Sequence, residues 1–177
     1  MTKLMLAGVT AATLMMAADA LPCGDKLVVV GRGRPRRLKG VQAAAILVYA
    51  DPGGALPAAL DEGNLRKDLE RAGHRIRSVS TRQELTTALG TGTYDLLMTD
   101  YRSAEALEAD AKAAPSRPTV LPTLYNPTPA DLAAAERQYH CVMKTPGKEN
   151  DYLAVVNEAL VERARQNPPA RAPATSP

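Results

Sequence analysis

The chain has 177 residues, a formal net charge of +3, two cysteines, and neither Phe nor Trp. That length suits one domain. The near balance of charge argues against a polyelectrolyte nucleic-acid binder, and the missing aromatics argue against a surface that stacks bases.

The first segment reads as an export signal. Lys3 supplies a short positive region, Leu4 to Ala18 is continuously apolar or small, and Ala18-Asp19-Ala20 has the pattern of a cleavage site. The apolar stretch is shorter than the roughly twenty residues that a membrane span needs. No later segment approaches that length, so no stable span is expected after cleavage. The alternative for this segment is an uncleaved anchor. The expected location is the periplasm or the medium, where two cysteines, Cys23 and Cys141, can form one disulfide. The alternative is two unpaired thiols, with Cys141 buried on a strand.

Residues 21–42 form an N-terminal extension. Lys26-Leu27-Val28-Val29-Val30 is β-branched and reads as an extra strand. Gly31-Arg32-Gly33-Arg34-Pro35-Arg36-Arg37 reads as a basic loop, either solvated or forming an anion or membrane-surface patch. It has neither a third glycine for a dinucleotide fingerprint nor the Gly-Lys-Ser/Thr ending of a P-loop.

From residue 43 the chain alternates. Ala44 to Tyr49 is a continuous apolar run, the mark of a strand covered on both faces. Leu65, Leu69 and Ala72 recur at helical spacing until Gly73. Arg75 to Val79 alternates polar and apolar, as an edge strand does. Thr81 with Glu84 makes a capping box ahead of Leu85 and Leu89. Leu96 to Thr99 is a further buried strand, and Ser103 is the expected cap of a helix carrying Ala104, Leu107 and Ala111. Thr119 to Leu124 is a strand. Thr128-Pro129 opens a helix, Cys141-Val142-Met143 reads as the fifth strand, and Tyr152, Val156 and Leu160 mark a last helix ending near Arg165. Residues 167–177 are rich in Pro, Ala and Arg and are expected to be disordered.

Five β-α units over residues 43–166 imply an α/β fold: a doubly wound, five-stranded parallel sheet with helices on both faces. The flavodoxin-like order 2-1-3-4-5 suits the length and puts the weakly apolar second strand at an edge.

In such a sheet, chemistry gathers at the carboxyl ends of the strands. Asp51 follows the first strand, Asp100 closes the third, Thr123 lies near the end of the fourth and Lys144 follows the fifth. Two carboxylates, a hydroxyl and a lysine are the groups that aspartyl phosphorylation requires, with a divalent ion offsetting the repulsion between carboxylate and phosphoryl group. On these residues the stretch from Ala44 to about Arg165 resembles the receiver domain of bacterial response regulators. The resemblance implies Asp100 as phosphoacceptor, Thr123 and Lys144 as phosphoryl-holding groups, and Mg2+ at Asp51 and Asp100. It also implies a protein partner docking on the fourth helix, fifth strand and fifth helix.

The chain departs from that family at several points. The family's two adjacent acids are Ala50-Asp51 here. Its Lys-Pro, often with a cis peptide, becomes Lys144-Thr145-Pro146. Cys141 stands at the aromatic switch position, and the loop after Asp100 is Tyr101-Arg102-Ser103, without proline. The expectation is therefore an exported, receiver-like interaction module with a degenerate pocket, not an enzyme and without a cofactor. In that reading Asp100 is an acid that caps the next helix and Lys144 ion-pairs with Asp100 or Asp51. A Cys23–Cys141 bridge would fasten the face that moves in signalling receivers. The alternatives are a working phosphorelay receiver modified on Asp100, and an enzyme acting on a small anion at the strand ends.

Overall fold

The computed structural model describes residues 43–62 and 64–167. The export signal, the expected extra strand, the basic loop, Cys23 and the tail from residue 168 lie outside the described residues.

The strands are β1 (Ala45–Tyr49), β2 (Arg75–Val79), β3 (Leu96–Asp100), β4 (Thr119–Tyr125) and β5 (Met143–Thr145). The helices are α1 (Leu56–Glu62), α2 (Leu65–Arg71), α3 (Arg82–Thr91), α4 (Tyr101–Ala113), α5 (Pro129–Gln138) and α6 (Glu149–Gln166). All neighbouring strand pairs are parallel, in the order β2-β1-β3-β4-β5. The expected sheet order is the observed one, with β2 at an edge and three of its five residues exposed.

Strand alternation sends successive side chains to opposite faces, and this separates two cores. Ile46, Val48, Leu96, Met98 and Met143 face α1, α2 and α6, where Leu56, Leu65, Leu69, Tyr152 and Val156 are buried. Ala45, Leu47 and Leu97 face α3 and α4, where Leu85, Leu89 and Leu107 are buried. A smaller cluster of Leu124, Ala135 and Val142 holds α5 over β4 and the approach to β5.

Local signals start and stop these elements. Thr81 Oγ1 accepts the Glu84 N–H at 3.2 Å, and Glu84 accepts the Thr81 N–H at 3.2 Å, closing the expected box on α3. Thr128 and Asp131 form the same reciprocal pair on α5. Gly73 follows α2 at φ +96°, a backbone region that a side chain disfavours. The periodicity misses α1 altogether, a short helix whose Pro57 sits near its start.

Two expectations are corrected. The cap of α4 is Asp100, not Ser103, which lies inside the helix. The fifth strand is Met143–Thr145, two residues later than Cys141-Val142-Met143. The cause of the second shift lies in β4. The Thr119 N–H points to β3, bonding Asp95 O at 3.0 Å, so by strand alternation Val120, Pro122 and Leu124 point toward β5. Pro122 has no N–H to offer there, and pairing with β5 begins only beyond it, at Thr123↔Met143.

Candidate functional site

The register brings the expected residues to the carboxyl end of the sheet in part. Asp100 ends β3 opposite Thr123 of β4, and Asp51 follows β1 by two residues. Asp100 is 9% exposed and Thr123 is 2% exposed. The Thr123 Oγ1 atom is buried without a hydrogen-bond partner.

Both oxygens of Asp100 are occupied by main chain. Oδ1 accepts the Arg102 N–H at 3.0 Å, the bond that caps α4. Oδ2 accepts the Ala55 N–H at 2.9 Å, across the loop that follows β1. That loop turns tightly. Gly54 N–H bonds Asp51 O at 2.9 Å, and Asp51 Oδ1 accepts the Gly53 N–H at 3.3 Å. A Cβ on Gly54 would stand 3.3 Å from Asp51 O and 3.5 Å from Asp100 Oδ2, so the loop comes this close because position 54 has no side chain. The loop lies against Asp100 and leaves Asp51 pointing into its own turn.

Asp51 and Asp100 are the two carboxylates that would hold Mg2+, and each Asp100 oxygen accepts one N–H and keeps a second lone pair. Among the described residues no group of three His, Cys, Asp or Glu side chains stands close enough to hold a metal.

Lys144 does not join the pocket. Met143 and Thr145 are buried and Lys144 between them is exposed, as alternation along a strand requires. The expected ion pair with Asp100 or Asp51 is not formed, and among the described residues Lys144 has no ion-pair partner. Thr145 takes the inward position, fully buried, with Oγ1 donating to Leu124 O at 3.1 Å. Thr145 also precedes Pro146 across a cis peptide bond. The residue inserted between lysine and proline thus rotates the lysine to the other face of the strand.

Two contributors carry no side-chain signal in the sequence: the Ala55 N–H, which is main chain, and Thr145, whose inward position depends on where β5 begins. Tyr101 also takes part. Its ring meets Tyr139 edge to face at 6.1 Å, and its hydroxyl donates to Gln138 at 3.0 Å, which ties the residue after Asp100 to the end of α5. Burial, with Glu108 and Glu105 nearby, holds the Tyr139 phenol above its ordinary range. Cys141, the other expected site residue, is 7% exposed, and no cysteine among the described residues is free. Its expected partner, Cys23, lies outside the described residues. No helix among the described residues is long and apolar enough to cross a membrane.

No family model matches the chain, and no curated protein matches it. Solved structures do. The chain is similar to a response regulator receiver domain protein (CheY-like) from Methanospirillum hungatei JF-1, at 19% identity and a TM-score of 0.51, over 71% of this chain and 100% of that one. It is also similar to the receiver domain of the sensor histidine kinase PA1611 from Pseudomonas aeruginosa PAO1, a structure with a magnesium ion in its active-site cleft. That match has 14% identity and a TM-score of 0.48, over 68% of this chain and 99% of that one. With the strand order and the two-faced core, the first likeness establishes the architecture: residues 43–167 adopt the fold of a CheY-like receiver domain.

Proposed function

We propose that this chain is an exported interaction module built on a receiver fold, in which the former phosphorylation pocket serves as structure. The observation that carries this reading is the commitment of both Asp100 oxygens to the Ala55 and Arg102 N–H groups. A phosphoacceptor must offer an oxygen to the incoming phosphoryl group beside a divalent ion. Here that oxygen holds the β1–α1 loop down. The outward turn of Lys144 supports the same reading, because it removes the cation that would neutralise the phosphoryl oxygens.

The docking face of the module is formed by α5, β5 and α6, and its partner is a protein. Lys144 stands on this face as an exposed cation, available for an acidic partner. The module is non-catalytic and takes no cofactor. Its place is the periplasm or the medium, a reading that rests on residues 1–20.

The test is the intact mass of the mature protein after acetyl phosphate with Mg2+, with Asp100→Asn as control. The reading expects no mass gain in either protein. A gain of one phosphoryl group in the wild type, absent from the control, would establish a working phosphorelay receiver instead. Cell fractionation checks the location separately, since recovery of the full-length chain in the cytoplasm would remove the export claim.

A further inference from the structure

A cleft of about 460 Å³ opens at the other end of the molecule, beside the amino ends of β4 and β5. It is lined by the ends of α4 and α6, by Thr119 and Val120 of β4, and by Tyr139, His140 and Cys141 on the approach to β5. Part of its inner wall is a stretch of sheet edge that no strand among the described residues pairs with. β4 runs from Thr119 to Tyr125, but β5 pairs only with Thr123–Tyr125. By strand alternation the Val120 N–H and carbonyl lie on the side of β4 away from β3, toward the cleft, and no strand among the described residues pairs with them. Thr119 Oγ1 and Tyr139 Oη are buried there with no hydrogen-bond partner among the described residues. Cys141 lines the same cleft yet is only 7% exposed. An unpaired edge and buried orphan polar atoms are costly when nothing covers them.

We propose that the N-terminal segment Lys26–Val30 occupies this cleft as an added strand on the open edge of β4, fastened by a disulfide between Cys23 and Cys141. This goes beyond the reading of the Asp100 pocket and holds whether or not Asp100 accepts phosphate. Four observations select this occupant. The chain enters β1 at Ala43-Ala44, at the same end of the sheet as the cleft. The crossing from β1 past β3 and β4 is about 15 Å at the usual strand spacing, whereas residues 24–42 reach about 60 Å when extended. The segment is a largely β-branched run, Leu27-Val28-Val29-Val30, suited to adding main-chain bonds along an edge while alternate side chains face the cleft. The only other cysteine in the chain stands three residues ahead of it.

The bridge forms by thiol–disulfide exchange with a disulfide oxidant, for which oxidised glutathione serves in vitro. The two protein thiols become one disulfide while the oxidant's disulfide becomes two thiols, so protons and electrons balance. Once closed, the bridge and strand together lock the approach to β5 against β4.

The experiment is amide hydrogen exchange on the full chain oxidised with glutathione disulfide. It compares wild type with the double substitution Val28→Pro, Val29→Pro, which removes an N–H at both strand parities. In the wild type, residues 26–30 and Val120 should be protected, and a peptide map without reductant should link Cys23 to Cys141. In the double variant Val120 should exchange at least about tenfold faster, while Leu47 and Met98 in the sheet centre keep their protection and report an intact fold. Free-peptide exchange of residues 26–30 in the wild type, or ready alkylation of both cysteines in the oxidised native protein, would overturn the proposal. So would protection of Val120 that survives the double substitution and rises with protein concentration, which would give the cleft to a second copy of the chain.

Discussion

His74 is 3% exposed, and its Nδ1 accepts the Ala44 N–H at 3.1 Å where the chain enters β1. Its Nε2 is buried without a partner. Burial lowers its pKa from the ordinary 6.5. Protonation would also remove the acceptor that Ala44 uses. The unfolded chain therefore binds a proton at a higher pH than the folded one. Stability from this group is complete above about pH 6.5 and is lost as pH falls below that value toward the lower folded pKa. Melting temperature should decline between pH 6.5 and 5 in the wild type, and His74→Gln, which keeps an acceptor but does not titrate, should flatten that decline. Equal slopes in the two proteins would contradict the assignment. Glu84 titrates in a separate window. Hydrogen bonds from the Ser80 and Thr81 backbone lower its pKa, so its contribution is present above its ordinary 4.5 and fades as pH falls below it.

Among the elements, α3 and β5 make contrasting cases. The box on α3 was legible because Thr81 and Glu84 carry it in side chains at fixed spacing. Replacing Thr81 by Ala should cost about 1 kcal/mol in equilibrium denaturation, the usual worth of such a cap. The bounds of β5 were not legible, because they depend on Pro122 in a different strand. The consequence is local and checkable. Thr145→Val removes a buried donor to Leu124 O and should destabilise the fold by about 1 kcal/mol, whereas Lys144→Ala on the exposed face should stay within about 0.5 kcal/mol of wild type. A Lys144→Ala loss as large as that of Thr145→Val would return the lysine to the pocket. For the cap of α4 the sequence offered both Ser103, from its spacing, and Asp100, in the degenerate-pocket reading, and the second is the one observed. Ser103 and Asp100 are both good capping residues, and only the β3–α4 junction shows that the strand runs straight into the helix, leaving the acid at the boundary.

At the scale of the molecule, periodicity alone yielded the class, the strand order and the edge position of β2, because apolar runs of strand length separated by helical spacing leave few parallel arrangements. Side-chain chemistry yielded the composition of the site but not its state. Asp51, Asp100 and Thr123 do gather at one end of the sheet, but the bond that Asp100 Oδ2 accepts from the Ala55 N–H was not legible, because its donor is main chain. The opposite end is bound together by an acid as well. Asp95 accepts the Ala45 N–H at 2.8 Å and pairs with Arg163 of α6 at 3.2 Å, joining β1, β3 and α6. Each end of the sheet thus uses an aspartate as a tie between elements, and the central claim is that Asp100 is such a tie.

Equilibrium denaturation of wild type and Asp100→Ala, each with and without Mg2+, tests that claim most directly. Asp100→Ala should lose about 1–3 kcal/mol, because the Ala55 and Arg102 N–H groups lose their acceptor, and Mg2+ should leave the wild type unchanged. A variant as stable as the wild type would show that Asp100 is no tie, and a wild type that Mg2+ stabilises while the variant is indifferent would show an acid pocket poised for a metal.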